Sequence, residues 1–163
     1  IPVPERWMQP ADTVGGGDLV AAISYTMRST DGMPKGGELF RFSRDGRVKG
    51  TFTFEDRVQF GDGPYGGPWV ITDYRVAPAG TGTRIAVAAH HYEWWPSLVT
   101  ILDDRLQRSA TFVNAGWVER LHWLSTDRLL IAGFSNDMDG GMIAARTESA
   151  PHRRAVLDPQ VIE

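Results

Sequence analysis

The sequence predicts an all-β protein of about three four-stranded antiparallel meanders, organised as one domain over residues 1–163. Three observations predict it. Short β-branched and aromatic runs recur along the chain, separated by glycine- and proline-rich breaks. Eighteen glycines, ten prolines and six tryptophans suit many turns and large aromatic anchors better than helices. No apolar stripe at helical spacing occurs. The alternative architecture is a β-sandwich or irregular barrel of about 11 or 12 strands.

Residues 69–113 carry the clearest unit. Residues 69–76 are β-branched and aromatic, with Val70, Tyr74 and Val76 on one side at period two. Pro78 and Gly80-Thr81-Gly82 break that run. Residues 84–89 are almost continuously apolar, which suits a strand covered on both faces. A loop over 91–96 closes at Pro96. Leu98-Val99-Thr100-Ile101-Leu102 reads as the third strand and Asp103-Asp104-Arg105 as a tight turn. Residues 106–113 alternate, with Leu106, Ala110 and Phe112 opposite Gln107, Ser109 and Thr111.

The same pattern lies on either side. Leu19-Val20-Ala21-Ala22-Ile23-Ser24-Tyr25 aligns with residues 86–92 and with residues 130–136. Gly36-Gly37-Glu38-Leu39 aligns with Pro96-Ser97-Leu98-Val99 and with Gly140-Gly141-Met142-Ile143. The same spacing separates Gly36 from Phe52 and Pro96 from Phe112. In the third copy it reaches Val156, at the end of a weaker strand. Gly67-Pro68-Trp69-Val70 matches Ala115-Gly116-Trp117-Val118, and a first strand near Trp7 rests on one tryptophan. The units are therefore about 4–54, 69–113 and 117–157, with a long glycine- and aspartate-rich link over 55–68.

Serial four-stranded meanders of this length resemble the blades of a β-propeller, and the resemblance covers nearly the whole chain. Trp117-Val118-Glu119-Arg120-Leu121-His122-Trp123-Leu124, followed by Asp127-Arg128-Leu129-Leu130-Ile131, is similar to blades of uncharacterised bacterial propellers. No Trp-Asp dipeptide closes a third strand, as WD40 repeats would have it. The glycine pairs open the third strand, where Kelch repeats place theirs at the end of the second. The resemblance therefore implies an architecture, a partial β-propeller, and no activity. Propellers have about 4–8 blades. Three imply exposed apolar faces and completion by a second copy, another chain or a further segment. A first residue that is isoleucine fits a processed or truncated piece.

Composition narrows the function classes. A formal net charge of −3 gives no electrostatic footprint for nucleic acid. No apolar run approaches the ~18 residues of a membrane helix. The absence of cysteine removes disulfides, thiol catalysis and cysteine-ligated zinc, and leaves the compartment open.

Antiparallel alternation places the second-to-third and fourth-to-first loops on one rim of the stack. The unusual residues fall there, and the opposite rim, with 77–83 and 125–127, reads as plain. The candidate ligand-binding residues are His91, Tyr92, Glu93, Trp94, Trp95, Tyr65, Trp69, Trp117, Asp137 and Asp139. Adjacent histidines on a strand face opposite sides, so His90 and His91 do not read as one metal site. Asp137-Met138-Asp139-Gly140 lacks the bidentate acid of a calcium loop, because Arg146 stands in its place. Asp62-Gly63-Pro64-Tyr65-Gly66-Gly67 has no lysine or following helix and reads as a flexible flap, not a phosphate loop. No cofactor or catalytic triad is indicated. The expected function is a non-catalytic module that binds a protein, peptide or carbohydrate. The alternative is a glycoside hydrolase that draws a carboxylate pair from Glu93, Asp137, Asp139 and Asp62.

Overall fold

The computed structural model describes residues 6–8, 11–25, 36–60, 63–78, 82–92, 96–134 and 152–157. It is all-β, as the sequence predicts, and no closed barrel forms among the described residues. The first sheet contains β1 (Arg6–Met8), β2 (Asp12–Val14), β3 (Asp18–Tyr25), β4 (Glu38–Phe42) and β5 (Val48–Thr53). β1 and β2 pair with successive parts of β3, so together they fill the place of one first strand. A hairpin follows, β6 (Arg57–Phe60) with β7 (Gly63–Gly66). The second sheet is the meander β8 (Trp69–Val76), β9 (Ile85–His91), β10 (Ser97–Leu102) and β11 (Arg108–Asn114). The third contains β12 (Val118–Trp123), β13 (Leu129–Phe134) and β14 (His152–Leu157).

The sheets stack face to face, with the second in the middle. Its strands explain why. Along β9, Ile85, Val87 and Ala89 enter one core with Val20, Leu39 and Trp69. Ala86 and Ala88 enter another with Val118, Leu121 and Ile131. Along β10, Leu98 and Leu102 take the first core, and Val99 and Ile101 the second. A run that is apolar at both parities is what burial on two faces requires. Each fully buried aliphatic side chain contributes about 1.5–3 kcal/mol, so the middle sheet is anchored from both sides.

The last hairpins of the first and second sheets match down to their irregularities. Leu39 pairs with Phe52, and Val99 with Phe112. Both hairpins carry a bulge at the same place, between Arg41 and Phe42 and between Ile101 and Leu102. Both turns close alike, Gly46 N–H on the Ser43 carbonyl and Leu106 N–H on that of Asp103. Gly46 and Leu106 both have positive φ, 83° and 62°. The conformation is free for glycine and costly for leucine. Leu106 holds it while its side chain is buried in the first core.

The structure corrects several expectations. Leu106 belongs to the turn, and the fourth strand starts at Arg108. Within the 55–68 link, residues 57–60 pair with 63–66. The second-strand alignment slips by one residue. Val20 and Ala22 face the second sheet, whereas the residues aligned with them, Val87 and Ala89, face the first. The partners that share their direction are Ala86 and Ala88, which face the third. Finally, β14 pairs directly with β13, in the place the repeat assigned to 140–146. That segment lies outside the described residues.

Candidate functional site

The two rims of the stack can be followed strand by strand. At one, Trp69 pairs with His91, Ser97 with both His90 and Asn114, and Val118 with Gly133. Gly37 brings the first sheet onto the same rim by donating its N–H to the Trp69 carbonyl at 2.7 Å. An added Cβ there would lie 2.7 Å from the Ile71 nitrogen, so the approach needs glycine. This is the rim to which the sequence assigned the candidate residues.

Its centre is a packed aromatic cluster. Trp69 is 1% exposed, faces the first sheet and donates its indole N–H to the Asp56 carbonyl at 3.1 Å. Asp56 is held in turn by both guanidinium nitrogens of Arg108, whose charge lies over the Phe52 ring. His91 is buried, with Nε2 at 2.9 Å from the Gly66 carbonyl. A carbonyl only accepts, so Nε2 carries the proton. The imidazole meets the Trp69 and Tyr65 rings edge to face, at 5.4 and 5.8 Å. His91 thus ties the β6–β7 hairpin to the middle sheet.

His90 points the other way. It stacks on Trp117 at 4.5 Å and 19°, and its Nδ1 lies 2.7 Å from the His91 carbonyl. Burial holds its pKa below the usual histidine value. The two histidines therefore stand on opposite faces, as strand geometry requires. Among the described residues no group of three or more His, Asp or Glu could hold a metal ion.

The structure brings together Tyr65, Trp69 and His91, with Tyr92 next to them and 38% exposed. It places Trp117 across the middle sheet, against His90. Glu93, Trp94, Trp95, Asp137 and Asp139 lie outside the described residues, as does Asp62.

The opposite rim, read as plain, carries a pocket of about 580 Å3. One wall is β2, through Asp12, Thr13 and Val14. The other is the β8–β9 connection, through Val76, Pro78 and Thr83. Gly15 keeps the walls close, since an added Cβ would lie 3.1 Å from Thr83 Oγ1. No aromatic or histidine marks this place, so composition gave it no signal. The glycine triplet Gly15-Gly16-Gly17, next to β2, is the one sequence feature that could have pointed to it.

A second missed residue is Asp73. It is 3% exposed and sits beside a bulge in β8, between Ile71 and Asp73. Its Oδ2 accepts the Leu121 N–H at 2.8 Å, and its Oδ1 pairs with Arg75 at 2.9 Å. Burial outweighs both and raises its pKa.

Comparison with family models, curated proteins and solved structures finds no match to this chain. No described helix is long and apolar enough to cross a membrane.

Proposed function

We propose that this protein is a non-catalytic binding or interaction module whose aromatic rim receives a peptide, protein or carbohydrate. The observation that supports it is the fixing of that rim. His91 binds the Gly66 carbonyl, Trp69 binds the Asp56 carbonyl, and Trp117 lies flat on His90. A surface whose rings are already held loses little freedom when a partner docks, and loops on a rigid scaffold commonly carry recognition. Tyr92 stands exposed at its edge. Because the carboxylates of the glycosidase alternative lie outside the described residues, no geometric observation favours it.

The module is also read as part of a propeller completed by a second copy or another chain. The support is the outer face of the first sheet, where Leu19 and Val48 are 38% and 57% exposed beside half-buried Ile23, Phe40 and Phe42. Binding is tested with glycan and peptide arrays, comparing the native chain with Tyr92→Ala and Trp117→Ala. Captured ligands should be lost from both variants while melting temperatures change little. Capture by neither form, or equal capture by all three, overturns the reading. Native mass spectrometry tests completion, and a monomer at micromolar concentration that recruits no second chain would remove it.

A further inference from the structure

We propose that the pocket between β2 and the β8–β9 connection binds an alkylammonium group, an ammonium head on an aliphatic stem. The proposal is independent of the aromatic rim, which lies at the other end of the strands. Three observations define the ligand class.

The first is charge. Asp12 is the one ionisable residue among the described residues of the wall. Among the described residues it forms no ion pair, and its carboxylate accepts the Thr13 N–H at 2.8 Å. Three buried or half-buried carboxylates of the stack are met by cations, Asp18 by Arg41 and Lys49, Asp56 by Arg108, and Asp73 by Arg75. A carboxylate left without a counter-ion beside a cavity favours a cationic guest and repels phosphate or carboxylate ligands.

The second is the character of the walls. Val14, Val76, Ala77 and Pro78 present hydrocarbon, and among the described lining residues there is no aromatic ring to stack a sugar or to cage a quaternary amine. A methylene stem can lie on such a surface while its charged end reaches the mouth. The third is the supply of acceptors. An ammonium carries three N–H donors. The Asp12 carboxylate on one wall and the Thr83 hydroxyl on the other provide acceptors. Two residues before Val76 on β8, Tyr74 donates its Oη–H to the Val20 carbonyl at 2.9 Å and bridges the two sheets.

This chemistry is found on a free aliphatic amine and on a lysine side chain of a polypeptide. The full chain is titrated with cadaverine, with Nα-acetyl-lysine-N-methylamide and with the uncharged Nα-acetyl-norleucine-N-methylamide, following the amide resonances of residues 12–17 and 83. Both ammonium ligands should perturb these amides, and the norleucine compound should bind roughly three- to tenfold more weakly, the scale of one charge-assisted contact at a partly exposed site. Asp12→Asn should lower the ammonium ligands to the norleucine level. Asp12 is exposed, so this variant should keep the native spectrum. Thr83→Val provides a second, smaller loss. Tighter binding of the lysine amide than of cadaverine identifies a polypeptide source, and the reverse order a free amine. Equal binding of the norleucine compound, no change on Asp12→Asn, or no perturbation of these amides at millimolar ligand overturns the proposal.

Discussion

The two interfaces of the middle sheet are built differently. Between the first and second sheets the core is large and aromatic, with Phe52, Phe54, Trp69 and Tyr74 among leucines. The polar contacts across it are Ser24 Oγ to the Ile71 carbonyl, Tyr74 Oη to that of Val20, the Gly37 N–H to that of Trp69 and the Arg41 guanidinium to that of Asp104. Between the second and third sheets β9 contributes Ala86 and Ala88, beside Val99 and Ile101 of β10. There the chains are laced together by polar side chains. Thr72 Oγ1 donates to the Val118 carbonyl, Ser97 Oγ accepts the Val118 N–H, Asp73 accepts the Leu121 N–H, and Trp123 Nε1 donates to the Arg75 carbonyl. The bulge in β8 places Thr72 and Asp73 next to each other against β12. Large side chains stabilise by area and require no exact partner. Small ones bring two backbones close, and the buried amides must then be satisfied one by one.

The comparison predicts different failures. Trp69→Ala should be the most damaging change. It empties an indole-sized volume in the first core and removes the donor to Asp56, at a cost of about 3–5 kcal/mol. Urea unfolding at neutral pH measures it, and a loss below about 1 kcal/mol would mean that the first interface does not depend on its aromatic anchor. Asp73→Ala should cost less, about 1–3 kcal/mol, because it strands the Leu121 amide without emptying much volume. Its hydrogen-exchange signature should also differ. Protection should fall first at Val118–Trp123, the span of β12, and leave the first sheet unchanged. Uniform loss across all three sheets would break the distinction between the interfaces.

Much of this was legible in the sequence, and the parts that were not have definite causes. The meander of the second sheet, the register of its last hairpin against that of the first sheet, and the division of loops into two rims all follow from spacing and alternation. The one-residue slip between β3 and β9 has a simple origin. Both strands are apolar at both parities, so periodicity does not distinguish the two registers, although they send the side chains to opposite faces. Leu106 was assigned to a strand because leucine does not advertise a positive φ. Its equivalence to Gly46 emerges only from the turn. At the aromatic rim, residue types were informative and directions were not. Trp69 and His91 share a rim with Tyr92 yet turn inward. The pocket was illegible for the opposite reason, since its walls are ordinary residues made notable by what lies across from them.

The smallest predicted effect concerns pH, and it separates two groups on the same side of the middle sheet. His90 has a folded pKa below the ordinary histidine value of 6.5 because burial disfavours the cation. Between those values the unfolded chain binds more protons, so stability should fall as pH drops below 6.5. Asp73 has the opposite sign. Its folded pKa lies above 3.8, so the folded chain binds more protons in that window, and stability should recover as pH falls through it. Melting temperatures measured from neutral pH downward should therefore decline, and Asp73 should make the acid part of the decline shallower, against Asp18, Asp45 and Asp127, whose lowered pKa values act the other way. His90→Phe should remove the early decline while keeping the ring stack on Trp117. Asp73→Asn keeps an acceptor for Leu121 but cannot titrate, and it should make the acid fall steeper. If both variants retain the native profile, the polar lacing of the second interface does not couple to protonation, and its difference from the first interface is one of packing alone.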